Sequence, residues 1–230
     1  MYPMSRLVKS MVEEKESRMR ELMKVMGLNS GVLQLSWVLT GVSVFLWISV
    51  STAWIANATF LSFSDFSLLL IYFTLFSASL ISLSFLLSTF FSNSKLAAIV
   101  APVALFCLLL PRFVFFSTNS NEQFTSKVYA SLLSPVAFAF GADFIAVAEG
   151  AGVGLQYNNM DDGEFSFRVV LQMLFVDSIV YLVLGWYLDL VMPQEFGTPM
   201  SPVSLRLLVL RHSSWCAEAI IINNHVCVLM

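Results

Sequence analysis

The sequence predicts an all-α membrane protein: a polytopic transmembrane helical bundle with a cytosolic amphipathic helix and an extracellular re-entrant helical hairpin. Between Gly31 and Pro111 only Asp65 and Lys95 carry charged side chains, and both fall between long apolar runs. The composition agrees, because 58% of the residues are hydrophobic and only 12% are charged. A soluble domain of this size needs a charged shell, which these residues cannot supply.

Four apolar runs are each long enough to cross the hydrocarbon core, which takes about 20 residues of helix. They cover residues 32–56, 66–91, 96–117 and 169–192. No water inside a bilayer can satisfy backbone N–H and C=O groups, so the runs should be helical. We therefore predict an integral, multi-pass membrane protein.

Residues 1–30 are predicted to form a cytosolic amphipathic helix. This segment holds half of the basic residues, which keeps it on the cytosolic side of the membrane. Apolar residues recur at helical spacing from Ser5 to Met26, broken by Lys15, and Gly27 provides a helix stop. Two acid–base pairs at i,i+4 spacing support the helix: Glu14 with Arg18, and Glu16 with Arg20. The helix is either a membrane-surface anchor or a lever driven by a cytosolic partner.

Residues 128–148 have two possible topologies. The segment is long enough to cross, yet Pro135, Gly141 and Asp143 interrupt it, which suits a re-entrant hairpin better than a plain span. If it crosses, the acidic stretch 149–164 becomes cytosolic; if it turns back, that stretch stays outside. The charge bias favours the second topology.

Five blocks in order resemble the A subfamily of ABC transporters. The first runs from Val12 to Leu28 (VEEKESRMRELMKVMGL) and resembles the cytosolic helix of that family, where an EKE-x-R pattern and a later M-G-L precede a membrane span. Four more blocks follow: the turn at 87–98, SLLSPVAF at 131–138, EGAGVGLQ at 149–156, and the final span with its exit at 177–199. Five ordered blocks are far more specific than any single one.

The resemblance implies that residues 31–199 form part of the transmembrane domain of a transporter that moves lipids by means of ATP. In that family the ATP and Mg²⁺ bind to a nucleotide-binding domain, which this chain lacks, so no cofactor is expected here. The implied partners are membrane lipids, the nucleotide-binding domain and the remaining transmembrane half; no nucleic acid is expected. The implied coupling residues lie in the cytosolic helix: Glu16, Arg20, Glu21, Met26 and Gly27.

Residues 200–230 form an atypical tail that does not resemble the family. We therefore expect a partial gene product or a truncated gene model. The competing hypothesis is a non-transporting membrane fragment that modulates full-length relatives or has no activity of its own.

The chain is not expected to be an enzyme by itself. No Gly-x-x-x-x-Gly-Lys-(Ser/Thr) motif occurs and no lysine follows a glycine, which excludes ATP hydrolysis by a P-loop. An intramembrane aspartyl protease is disfavoured, because the string at 140–143 lacks the second glycine of a Gly-x-Gly-Asp motif. Asp143 and Asp177 are the only carboxylate pair at possible membrane depth. No metal site is expected.

Asp177 needs a compensating group. It lies about 12 Å into the last run, where an unpaired carboxylate costs about 2.5–3.5 kcal/mol. Arg112 lies at comparable depth, so we predict that the two residues form a buried pair that clamps two helices. The alternative is a polar contact to a lipid headgroup. Pro135 and Asp143 complete the set of structural or polar positions expected within the membrane.

Overall fold

The computed structural model describes residues 2–17, 19–27, 30–114, 124–161 and 166–191. Their helices are α1 (Tyr2–Glu16), α2 (Met19–Val25), α3 (Ser30–Thr59), α4 (Phe66–Phe90), α5 (Ser94–Leu109), α6 (Pro111–Val114), α7 (Phe124–Ala130), α8 (Ser134–Gly150) and α9 (Phe167–Val191). These ranges contain no strand, which confirms the all-α class. The first compact unit is Met1–Trp186 and carries every site discussed below; the second, Tyr187–Met230, is described only over residues 187–191.

Four helical segments are long and apolar enough to span a membrane, which confirms the four predicted runs. They are Leu35–Thr59, Phe66–Phe90, Ser94–Phe113 and Phe167–Asp189. The third run was expected to continue to Ser117, but α5 ends at Leu109 and α6 begins at Pro111. Proline has no N–H to continue the helical hydrogen bonds, which accounts for this interruption. Residues 115–117 lie outside the described part.

The N-terminal amphipathic segment forms two helices rather than one. Helix α1 ends at Glu16 and α2 begins at Met19, whereas the pattern predicted one helix from Ser5 to Met26. Gly27 has φ +93°, so the predicted helix stop is confirmed. The buried residues of α1 are Met4, Val8, Met11 and Val12. The exposed apolar residues of α2 and its end are Met19, Leu22, Val25 and Met26. The break therefore separates a packed half from an exposed half.

The segment 128–148 contains a helical break, as predicted, but at a different place. A turn at residues 131–133 joins α7 to α8. Pro135 takes the second position of α8, where its missing N–H costs no helical hydrogen bond. The expectation that Gly141 and Asp143 interrupt the segment was wrong, because both lie within the continuous helix α8. Gly141 instead permits close packing, since a Cβ there would lie 2.6 Å from the ring of Tyr72.

The turn before α8 lies beside the middle of α4 and α9. The Ser79 and Ser134 hydroxyls are hydrogen-bonded, and Ser79 lies 13 residues, about 20 Å, beyond the start of α4. At the other end of α8, the carboxylate of Glu149 accepts bonds from the Phe63 N–H (3.0 Å) and the Ser64 hydroxyl (2.7 Å), just before α4 begins. Helix α8 thus runs beside the first half of α4, as a re-entrant hairpin requires; the side of the membrane that it enters from remains a prediction.

Candidate coupling joint and intramembrane polar residues

Three consecutive residues at the end of α1 each bond to a different membrane-spanning helix. The indole N–H of Trp37 in α3 donates to the carboxylate of Glu14. The ammonium group of Lys15 donates to the carbonyl oxygen of Ser88 in α4 at 2.9 Å. The backbone N–H of Ser94 in α5 donates to Glu16 Oε2 at 3.0 Å. We call this set the joint: Glu14, Lys15 and Glu16 with Trp37, Ser88 and Ser94.

Two charges of the joint, on Lys15 and Glu16, are opposite in sign to the dipoles of the helix ends that they contact. Ser88 lies in the last turn of α4, where carbonyl groups lack helical partners and the helix dipole is negative, and Lys15 supplies a cation. Ser94 is the first residue of α5, where N–H groups lack partners and the dipole is positive, and Glu16 supplies an anion. Successive residues of a helix point about 100° apart, which lets the three side chains reach three helices.

Glu16 is held in its ionised form. The hydrogen bond from the Ser94 side chain lowers its pKa most, and the Ser94 backbone N–H and the charge of Lys95 lower it further. The side chain is exposed to solvent. We therefore attribute to this bond mainly a fixed geometry between α1 and α5, since exposed ionic contacts add little stability.

The rest of α1 is anchored to the same helices. The hydroxyl of Ser5 donates to the carbonyl oxygen of Ala98 in α5 at 2.8 Å. Met4, Val8 and Val12 belong to a buried apolar cluster with side chains of α3, α4 and α5. Helix α1 is thus attached along its length to the membrane-spanning helices. One face of the predicted amphipathic helix packs into the bundle.

The predicted coupling residues fall on both sides of the helix break. Glu16 is part of the joint, and Met26 is 74% exposed at the end of α2. Arg20 and Glu21 lie in α2, but their side chains are outside the described part. Glu14 and Lys15 were not singled out as coupling residues, although the EKE string of the family pattern marks them. Among the described residues, no group of three His, Cys, Asp or Glu side chains could hold a metal ion.

The predicted pair of Arg112 with Asp177 is wrong. The guanidinium group of Arg112 forms a salt bridge with Asp143 of α8 and lies 5.2 Å from the centre of the Phe140 ring. Arg112 is in α6, which packs against α8, and this packing accounts for the contact with Asp143. Asp177 is fully buried in α9, and neither carboxylate oxygen has a hydrogen-bond partner in the described part of the chain.

Comparison with known proteins identifies the class of this bundle as the membrane domain of a transporter. Residues 1–187 match the family model described as "ABC-2 family transporter protein". The chain belongs to this family.

The relatives that match the chain belong to the A subfamily, as the five blocks predicted. The chain is 40% identical over 205 residues to the human retinal-specific phospholipid-transporting ATPase ABCA4. The matched region covers 86% of this chain and 9% of that protein. The chain is 34% identical over 220 residues to the human phospholipid-transporting ATPase ABCA7, covering 94% and 10%. It is 33% identical over 196 residues to the human glucosylceramide transporter ABCA12, covering 83% and 8%. The chain thus spans about a tenth of the length of these relatives.

Proposed function

We propose that the chain forms part of the membrane domain of an ATP-driven lipid transporter, and that α1 and α2 receive the movement of a nucleotide-binding domain in the cytosol. The joint is the observation that carries this proposal. One short segment of α1 is bonded to α3, α4 and α5, so a displacement of that segment acts on three membrane-spanning helices together.

The exposed half of the N-terminal segment fits a partner domain. Its apolar side chains lie on the seven-residue helix α2 and on the residue that follows it, just before the glycine stop: Met19, Leu22, Val25 and Met26 are 53–86% exposed. A short helix with exposed apolar anchors suits the groove of a folded partner. In this proposal Glu16, Arg20 and Glu21 supply the polar contacts around these anchors, as the family resemblance implies.

The chemistry of ATP lies outside this chain. The nucleotide-binding domain would hold ATP and Mg²⁺ and hydrolyse the nucleotide, while this chain converts domain closure into movement of its helices. The named activities of the relatives, transport of phospholipids and of glucosylceramide, supply the substrate class: membrane lipids. Large apolar side chains that stay exposed on α3, such as Trp47 at 77% and Trp54 at 69%, would contact acyl chains.

Reconstitution tests the proposal. The chain is co-expressed with a nucleotide-binding domain and the remaining transmembrane half, and the complex is placed in vesicles that contain fluorescent phospholipid or fluorescent glucosylceramide. We expect ATP-dependent transfer of lipid between the leaflets, and none when the P-loop lysine of the nucleotide-binding domain is replaced. ATP hydrolysis without transfer of either lipid would contradict the proposal and favour the competing hypothesis of a non-transporting fragment or modulator.

A further inference from the structure

Asp177 is a buried carboxyl group that neither the joint nor the lipid-facing surface uses. Its side chain is 0% exposed, and both oxygens lack a hydrogen-bond partner in the residues that the structure describes. It lies ten residues after Phe167, about 15 Å along α9. This is half of a hydrocarbon core about 30 Å thick, where water is scarcest.

The side chain of Asp177 lies on the stripe of α9 that packs inside the protein. The stripe recurs every three or four residues: Phe167, Val170, Leu174, Asp177, Tyr181 and Gly185. At one end, the Phe167 ring contacts Tyr72 of α4 at a centroid distance of 5.4 Å. At the other end, a Cβ on Gly185 would lie 2.8 Å from the Phe85 side chain of α4. Asp177 therefore lies on the packed side of α9 and does not face lipid.

The ionisable groups on the surrounding elements are engaged elsewhere. Helix α4 carries no charged residue. The groups of α6 and α8 and the nearby tyrosines have other contacts: Arg112 with Asp143, Tyr72 with Phe138, and Tyr181 with the turn before α8. Lys127 of α7 also has an interaction of its own, which is not a hydrogen bond to Asp177. The Tyr181 hydroxyl, one helical turn beyond Asp177, donates to the Leu132 carbonyl oxygen at 3.0 Å and accepts the Ser134 N–H at 3.3 Å. None of these groups neutralises an ionised Asp177.

We propose that Asp177 is a proton-binding site: its carboxyl group is a neutral acid in the folded protein at neutral pH. An ionised carboxylate in this position would be desolvated without a cation or a hydrogen-bond donor to compensate it, whereas the protonated group has no net charge to desolvate. The ligand is a single proton, and its source is water. The proposal does not depend on lipid transport, since it rests on the burial and the contacts of α9.

Infrared spectroscopy of the full chain in lipid bilayers at neutral pH tests this assignment. The spectrum of Asp177→Asn subtracted from that of the wild type should show an acid C=O band with the intensity of one carboxyl group. As a matched control, Asp143→Asn should remove carboxylate bands and leave the acid band unchanged, because Asp143 is paired with Arg112. Loss of carboxylate bands instead of the acid band in Asp177→Asn would overturn the proposal.

A second variant gives the same answer if Asp177→Asn does not accumulate in membranes. Asp177→Glu keeps the acid and lengthens the side chain, so the acid band should remain and change its frequency. An unchanged acid region together with altered carboxylate bands in Asp177→Glu would show that position 177 is ionised, and the proposal would fail.

Discussion

At the joint, charged side chains bond to the ends of other helices. Around the hairpin, which consists of α7, the turn at 131–133 and α8, aromatic rings and hydroxyl groups make the buried contacts. Lys15 and Glu16 bond to backbone groups at the last turn of α4 and the first residue of α5. Beside the hairpin, the ring of Phe138 stacks on Tyr72 and Phe76 at centroid distances of 5.0 and 3.9 Å.

The difference follows from where backbone groups are free to bond. Helix ends leave N–H and C=O groups without helical partners, and the joint lies at two such ends. In the middle of a span every backbone group is used by its own helix, so a charged side chain finds little to bond there. Asp177 occupies such a position and has no described hydrogen bond. Charged hydrogen bonds therefore hold the helices together at the joint, whereas the packing of aromatic rings holds them together around the hairpin.

The largest expected effect comes from adding volume beside the hairpin. Gly141→Leu should lower the free energy of unfolding by about 1–3 kcal/mol, because its side chain would collide with the buried ring of Tyr72. The matched control is Gly150→Leu, at the end of the same helix, where a Cβ meets nothing within 4 Å. The control should change stability by less than about 0.5 kcal/mol. Denaturation in detergent micelles measures both, and equal losses would contradict the role assigned to Gly141.

The next effect comes from removing one charge of the joint. Lys15→Met keeps most of the side-chain length but leaves the Ser88 carbonyl group without its ammonium partner, which should cost about 1–2 kcal/mol. Lys9→Met on the same helix is the control, since Lys9 has no described bond to another helix. The free energy of unfolding should fall only in the first variant. A loss of similar size in both would show that α1 responds to its total charge and not to this bond.

A smaller effect is expected at the Arg112–Asp143 salt bridge. Asp143 is half exposed, so a double-mutant cycle of Arg112→Ala and Asp143→Ala should give a coupling energy of only about 0.5–1 kcal/mol. The parallel cycle of Arg112→Ala with Asp177→Ala should give no coupling. Coupling in the second cycle alone would restore the pair that the sequence predicted.

The smallest expected effect is a loosening of the contact between α1 and α5 at low pH. The pKa of Glu16 lies below its ordinary value of 4.5, so the Glu16–Ser94 bond contributes stability at neutral pH and loses it as the pH falls through the lowered pKa. A spin-label distance between α1 and α5 should therefore widen at low pH in the wild type. In Glu16→Gln the distance should not change over the same range. A wild-type distance that stays constant down to complete protonation would contradict the role of this bond.

The sequence predicted the spans because they depend on length and hydropathy. The hairpin was predicted from interrupting residues, and of these only Pro135 lies next to the observed break at 131–133. Twenty apolar residues in a row are a one-dimensional signal. A proline is less decisive, because Pro135 lies in the first turn of α8 whereas Pro102 lies inside α5. The partner of Arg112 could not be predicted in the same way. Depth in the membrane follows from residue number, but the direction of a side chain around its helix depends on packing. Depth alone pointed to Asp177, and the position of α8 beside α6 shows that Asp143 is the partner.

The break between α1 and α2 was also missed for a physical reason. The apolar spacing is broken at Lys15 but resumes at Met19. It therefore gives no indication that one part packs in the bundle while the other stays exposed. Of the coupling residues, Glu16 was predicted from the family pattern. Glu14 and Lys15 belong to the same EKE string, but only their bonds to Trp37 of α3 and Ser88 of α4 indicate a coupling role.

The most direct test of the coupling role measures ATP hydrolysis and lipid transfer together in the reconstituted complex, with Lys15→Met against Lys9→Met. If the joint transmits the movement of the nucleotide-binding domain, Lys15→Met should hydrolyse ATP at a rate close to that of the wild type and transfer fewer lipid molecules per ATP. Lys9→Met should keep the wild-type ratio. An unchanged ratio of lipid transferred to ATP hydrolysed in a folded Lys15→Met complex would contradict this role.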